Sequence, residues 1–230
     1  RYCSTLAQGE IVNLKQAKLA TGGGLLTNSK MPGYCYSIPA KECNVGAKLV
    51  KIAGSVCEGC YALKGFYQTY ATSIDRALYA RLDSLTNPLW VEAMSKLINH
   101  YCQDGEAVCQ RGTFFRWDAA GDIQDLPHLR KMVLVAEATP AVSHWIPTRE
   151  YKIVAKYRAV YGEFPPNFTV RLSAHMVDGD APSGYGLTTS TVVTDGSETC
   201  QATMPENKSE CGDCRACWKS EVANVSYAKH

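Results

Sequence analysis

The sequence predicts an α/β fold: a partial (β/α) barrel-like parallel sheet with helices outside, followed by an irregular cysteine-rich C-terminal tail. Three observations predict it. Short apolar runs alternate with helix-periodic stretches between residues 72 and 194, the order that builds parallel βα units. The 230 residues are 46% hydrophobic and 20% charged, enough to hold a core without disulfides. Eleven cysteines are bunched, most of them in one group ahead of the periodic region and one behind it.

The elements follow in chain order. Residues 1–45 are broken by Gly22-Gly23-Gly24, Pro32-Gly33 and Pro39 and read as irregular, with a short strand at 33–38. From Thr72 the pattern turns helical, with Ile74, Leu78, Leu82 and Leu85 on one face. Asn87-Pro88 reads as an N-cap with proline at the first helical position. The helix after it carries Trp90, Met94, Leu97, Ile98 and Tyr101. Residues 113–118 form an aromatic run that reads as a buried strand, ending at the turn signal Ala119-Ala120-Gly121-Asp122. Asp125-Leu126-Pro127 starts a helix that stops before Pro140. Residues 143–147 read as a strand, and Thr148 can cap a helix over 149–161. Strands at 168–174 and 189–194 complete the series. Four or five strands fall short of the eight that a closed barrel needs, so the barrel is partial; an open α/β sandwich is the alternative. The expected organisation is an α/β unit over 1–199 and a metal-binding tail over 200–230 packed on it.

Lys+Arg number 24 and Asp+Glu 22, a formal charge of +2. That balance argues against a protein built to neutralise phosphates, so a nucleic-acid partner is not expected. No stretch approaches a membrane span, and no secretory leader pattern is seen.

Cysteine is the composition outlier. An odd count, a large chain and two-residue gaps do not describe a secreted disulfide framework. Two intervening residues let one turn aim both sulfurs at a single point, which is metal-ligand spacing. The first group is Cys43-x13-Cys57-x2-Cys60. Three thiolates on a [4Fe-4S] cluster leave one iron open to a small-molecule ligand; zinc, or a Cys57/Cys60 redox pair, are the alternatives. The second group is Cys200-x10-Cys211-x2-Cys214-x2-Cys217. Four thiolates can close a site completely, for a second [4Fe-4S] cluster or for zinc. Arg215, Lys219 and Lys208 would offset its negative charge. Cys102 and Cys109 read as structural, Cys3 and Cys35 as loop residues, with Cys35 set aside as a ligand because its neighbours look like a strand.

In a parallel sheet, ligands meet the carboxyl ends of strands. That makes Asp118, Asp122 and Arg149 the candidate catalytic groups, and Gly121, Arg116, Arg171 and His175 the candidate cofactor-binding groups. Arg116 and Arg171 sit inside apolar runs, where a charge needs a ligand or a salt bridge, for instance to Asp118 or Glu150. His175 also fits a hydrogen-bonded structural histidine, and Asp122 a turn cap.

The stretches GSVCEGCYALKGFY (54–67), FFRWDAAGDIQDL (114–126), HWIPTREY (144–151) and CGDCRACWKSEVANVSYAKH (211–230) resemble the phage-encoded gene product 88 family. The resemblance implies a phage protein working in the host bacterial cytoplasm. More distantly, the chain is similar to radical S-adenosylmethionine enzymes, partial barrels with three cysteines near the first strand. That likeness implies Cys43, Cys57 and Cys60 as cluster ligands, S-adenosylmethionine at the open iron, and a reductant protein as electron source. Gly59 stands where those enzymes carry an aromatic residue. Ala119-Ala120-Gly121-Asp122 is the nearest counterpart of their Gly-Gly-Glu-Pro element. A non-enzymatic zinc- or cluster-stabilised protein that binds a host protein or nucleic acid is the alternative reading.

Overall fold

Among the described residues seven strands form one sheet whose spatial order follows the chain: β1 (Leu26–Thr27), β2 (Tyr34–Cys35), β3 (Phe114–Arg116), β4 (Ser143–Thr148), β5 (Phe168–Ser173), β6 (Thr188–Val193) and β7 (Asn224–Ala228). β1 runs antiparallel to β2, and every later pairing is parallel. The computed structural model describes residues 13–28, 30–102, 112–204, 207 and 209–229. Cys3, Cys109 and Lys208 lie outside the described residues. β1 and β7 are opposite edges and do not pair, so the sheet stays open and does not close into a barrel.

Among the described residues seven α-helices accompany it: α1 (Leu14–Ala20), the single turns α2 (Gly46–Leu49) and α3 (Phe66–Thr69), then α4 (Ala71–Ser84), α5 (Trp90–Tyr101), α6 (Leu126–Glu137) and α7 (Tyr151–Tyr161). α1 lies in the stretch expected to be irregular. Its start is fixed by a reciprocal cap: Asn13 accepts from the Gln16 amide at 3.0 Å, and Gln16 accepts from the Asn13 amide at 3.1 Å. Asp125 caps α6 as expected, accepting from the His128 amide at 2.7 Å. Pro88 does not open α5, which begins at Trp90; Asn87 accepts from the Leu89 amide instead. Thr148 accepts from the Glu150 amide at 3.0 Å, one residue short of the helix it was expected to cap.

Strand alternation divides the sheet into two faces. Phe115 and Trp117 from β3 and its end, Ile146 from β4, and Phe168, Val170 and Leu172 from β5 point into the main core. There they meet Trp90, Met94 and Ile98 of α5, Leu129, Met132 and Val133 of α6, and Val154 and Tyr157 of α7. The alternate residues Arg116, Trp145, Thr169 and Arg171 face the other way, and Trp145, Thr169 and Arg171 touch the C-terminal tail. Trp218 packs edge-on to Trp145 at 5.1 Å between ring centres and donates its indole N–H to the Phe115 carbonyl at 3.0 Å. Thr169 donates to the Trp218 carbonyl at 2.9 Å. The tail is therefore less irregular than expected: its last segment is β7, paired in parallel with β6 over five residues.

Candidate metal and ligand site

The first cysteine group is carried on a loop that other parts of the chain hold in place. Cys43 ends a 3₁₀ turn (Ala40–Glu42) and Cys60 precedes another (Tyr61–Leu63). The intervening loop is pinned to the exit of β5, where the Val56 amide donates to the His175 carbonyl at 3.0 Å and the Val177 amide to the Gly54 carbonyl at 2.9 Å. Glu150 holds the start of α2 by accepting from the Val45 amide at 2.8 Å. Within the loop, a β-carbon on Gly46 would stand 3.6 Å from the Cys43 sulfur, 3.8 Å from the Cys57 sulfur and 3.0 Å from the Cys43 Cβ. Glycine keeps the space beside both sulfurs clear.

The second group is drawn over the same end of the sheet. The Cys200 amide donates to the Ser226 carbonyl of β7 at 2.9 Å, and the Cys211 amide reaches the Lys30 carbonyl of the N-terminal loop at 2.9 Å. Arg171 anchors the run from 216 to 222. Fully buried, its guanidinium donates to the carbonyls of Ala216 (2.8 Å), Cys217 (3.0 Å), Lys219 (2.8 Å) and Val222 (2.9 Å), and to Thr189 (3.2 Å). The partners of Arg171 are thus main-chain carbonyls, not the ligand or carboxylate expected for a charge in an apolar strand.

Between the two groups lies a cavity of about 740 Å³ at the carboxyl ends of the strands. Cys43, Cys57 and Cys60 line one side of it, Cys200, Cys211 and Cys217 the other, with Arg116, Asp118, Gly121, Asp122 and Arg149 around it. The geometry gathers most of the expected site residues in one place. Arg171 and His175 do not line it; His175 stacks on Tyr151 at 4.7 Å. Cys214 is set back from the cavity but interacts electrostatically with Cys200 and Cys211.

The two aspartates differ. Asp122 is satisfied, accepting from the Thr148 hydroxyl at 2.6 Å, the Arg149 amide at 3.0 Å and the Ile123 amide at 2.8 Å. Burial nevertheless raises its pKa against those bonds. Asp118, 3% exposed, has a left-handed backbone (φ 46°), and among the described residues neither carboxylate oxygen finds a hydrogen-bond partner. Burial and the neighbouring Asp122 hold its pKa well above the usual carboxylate range, offset in part by Arg116. Gly121 lines the cavity for a packing reason: with φ 88°, a β-carbon there would stand 2.4 Å from Ile38 Cγ1 and 2.7 Å from the Ile38 carbonyl oxygen.

Burial and neighbouring acidic groups raise the Cys43 thiol; burial also raises Cys57, with Arg149 opposing it. In the tail, burial and the other thiols push Cys211 up to about 11, and Cys200 and Cys217 also rise. Thiols used for disulfide exchange have depressed pKa values, and these do not. Among the described residues, no cysteine is paired with another, and no three Cys, His, Asp or Glu side chains converge closely enough to hold a single metal ion. A zinc ion bonds each sulfur at ~2.3 Å and so draws thiolates into mutual contact; a cubane holds its thiolates at outer corners, further apart. The donor set is of soft sulfurs, and Gly46 adds no side chain beside the Cys43 and Cys57 sulfurs.

Sequence reasoning missed several residues here. Trp145 shows no site signal, since an aromatic in a strand reads as core. Tyr227, whose hydroxyl lies 3.5 Å from the Cys217 sulfur, falls in a segment expected to lack a strand. No helix among the described residues is long and apolar enough to cross a membrane. Comparison with curated proteins and with solved structures found no match. The sequence profile of gene product 88 matches residues 11–220, nearly the whole chain and both cysteine groups, and the protein belongs to the gene product 88 family.

Proposed function

We propose that this chain is an iron–sulfur protein in which Cys43, Cys57 and Cys60 hold a [4Fe-4S] cluster with one iron turned toward the cavity. The observation that carries the reading is the convergence of two thiol groups, from chain segments some 140 residues apart in sequence, on one cavity at the strand ends. Burying that many thiols around a void stabilises nothing by itself, since raised thiol pKa values and unpartnered polar atoms are costs. A bound cluster would offset them by taking the thiolates and supplying redox and Lewis-acid chemistry at its open iron. Cys200, Cys211, Cys214 and Cys217 would hold a second cluster or a zinc ion. The chain's own residues then bound the reaction space: Asp122 locks the β4 exit through Thr148 and the Arg149 amide, and Arg171 fixes the tail as a cover over the sheet.

In this reading a small molecule binds at the open iron, and a reductant protein supplies electrons. S-adenosylmethionine is the probe that the likeness to radical enzymes suggests. The reduced thiols fit work in the host bacterial cytoplasm.

The test is anaerobic purification of the full chain with iron, zinc and acid-labile sulfide counted per protein. About four irons and four sulfides per site, with broad absorption near ~400 nm, are expected. Neither iron nor sulfide after anaerobic reconstitution overturns the reading, and stoichiometric zinc alone replaces it with a structural metal site. Adding S-adenosylmethionine to the reduced, loaded protein is expected to change its electron paramagnetic resonance signal. An unchanged signal removes that cofactor and leaves the cluster.

A further inference from the structure

Cys217 and Tyr227 both line the cavity, and different parts of the sheet hold them there. Cys217 is the middle residue of a 3₁₀ turn (Ala216–Trp218). Arg171 of β5 donates to its carbonyl at 3.0 Å, and its neighbour Trp218 is tied to the Phe115 carbonyl of β3 at 3.0 Å. Tyr227 stands on β7 opposite Val192 of β6, and the Lys229 amide extends that pairing to the Val193 carbonyl at 3.0 Å. Ten residues separate the two in the chain, yet the Tyr227 hydroxyl oxygen lies 3.5 Å from the Cys217 sulfur. Two separate anchors, one on β5 and one on β6, set that approach.

A neutral thiol is a weak acceptor, so a hydroxyl gains little by facing one. A sulfur that ligates a metal has given up its proton. An O–H facing it then makes a charge-assisted hydrogen bond, about twice as strong as a neutral one. With no proton on the sulfur, the tyrosine hydroxyl is the donor. Phenylalanine would fill the same place on β7, so what tyrosine adds is this one oxygen.

We infer that Tyr227 is a positioning residue for the metal centre of the tail: its hydroxyl donates to the Cys217 thiolate, orients that sulfur and draws electron density from it. The inference rests on the reading that Cys200, Cys211, Cys214 and Cys217 hold a metal, and it applies to a cluster and to zinc alike. On a cluster, the bond stabilises the more negative, reduced state and raises the reduction potential. On zinc, it occupies a sulfur lone pair and makes Cys217 a poorer nucleophile. Partners that bond to a metal's ligands in this way commonly change affinity by about ten- to hundred-fold.

The test uses the full chain, loaded anaerobically with iron and sulfide or with zinc, according to what the purified wild type retains. Tail-bound metal is the portion that Cys214→Ser lacks. Tyr227→Phe is expected to fold and to bind that metal about ten- to hundred-fold more weakly in competition with a chelator. For a cluster, the midpoint potential of the tail centre is expected to fall while any other stays. For zinc, iodoacetamide is expected to alkylate Cys217 faster, as located by mass spectrometry. Thr169→Val is the control, because it removes a hydroxyl that donates to the Trp218 carbonyl at 2.9 Å, beside Cys217 but away from its sulfur. It is expected to lower melting and to leave potential and alkylation unchanged. Weaker binding with an unchanged potential or alkylation rate marks a structural role and overturns the inference. So does a control that moves those signals as far, or a Tyr227→Phe chain that cannot fold. A wild type without tail-bound metal removes the metal reading of the tail and the inference with it. A loaded wild type matched by Tyr227→Phe in every signal removes the inference alone.

Discussion

Replacing Arg171 with lysine separates a stapling role from a merely buried charge. The guanidinium spends its donors on five carbonyls at 2.8–3.2 Å, four of them between 216 and 222. A lysine ammonium has three donors, so at least two carbonyls lose their partner at a position with no exposed surface. Each orphaned buried acceptor costs about 1–3 kcal/mol, a loss of roughly 2–6 kcal/mol in all. For a chain of this size, 3 kcal/mol lowers the melting temperature by about 6–12 °C. The damage is expected to be local first, because the β5 side of the contact is buried in strand pairing and the tail side is not. Amide exchange should accelerate at residues 216–222 before it does in β4 or β5, and metal content of the tail should fall with it. An Arg171→Lys protein with wild-type melting and wild-type exchange across 216–222 would refute the staple.

Three further outcomes are expected. Gly121→Ala places a β-carbon 2.4 Å from Ile38 Cγ1 at φ 88°, and should destabilise by well over ~1 kcal/mol; Gly59→Ala, with nothing within 4 Å, should change melting little, and denaturant titration compares the two. His128 and His144 are held neutral by burial, with pKa values lowered to about 3. Their folded pKa lies below the unfolded value near ~6.5, so their stability contribution is complete above about 6.5 and is lost as pH falls toward 3, by up to ~1.4 kcal/mol per pH unit each. Unfolding midpoints of wild type and His128→Gln between pH 7 and 4 check this, the variant showing the shallower fall. Cys214→Ser should lower both the melting temperature and the metal bound per chain, because binding energy in such a segment is folding energy; unchanged values for both would mean that the tail thiols bind nothing.

How much of this was legible depended on the range of the interaction. The strands β3 to β6 and the helices α4 to α7 each carry a local period, and the sequence reading finds them within a few residues. Asp125 is readable as a cap because its partner, His128, is three residues away. Arg171 is readable as a charge in an apolar strand, but four of its five carbonyl partners lie 45 to 51 residues on and carry no side-chain signal. The same distance hid β7: Asn-Val-Ser-Tyr-Ala is short and mixed, and becomes a strand by pairing with β6. α1 was lost among glycines that follow it. The metal-ligand spacing within each cysteine group is readable from the sequence, whereas the meeting of the two groups at one cavity depends on packing that no local pattern encodes.

The strand order has a consequence for how the protein matures. Because neighbours in the sheet are also neighbours in the chain, a ribosome delivers the sheet from one edge to the other, each new strand docking on the edge just left behind. The loop with Cys43, Cys57 and Cys60 emerges well before the segment that carries Cys200 to Cys217 and β7. On the proposed reading, a metal centre on the early thiols can be assembled before β7 pairs with β6 and adds Tyr227 and Ala228 to the cavity wall.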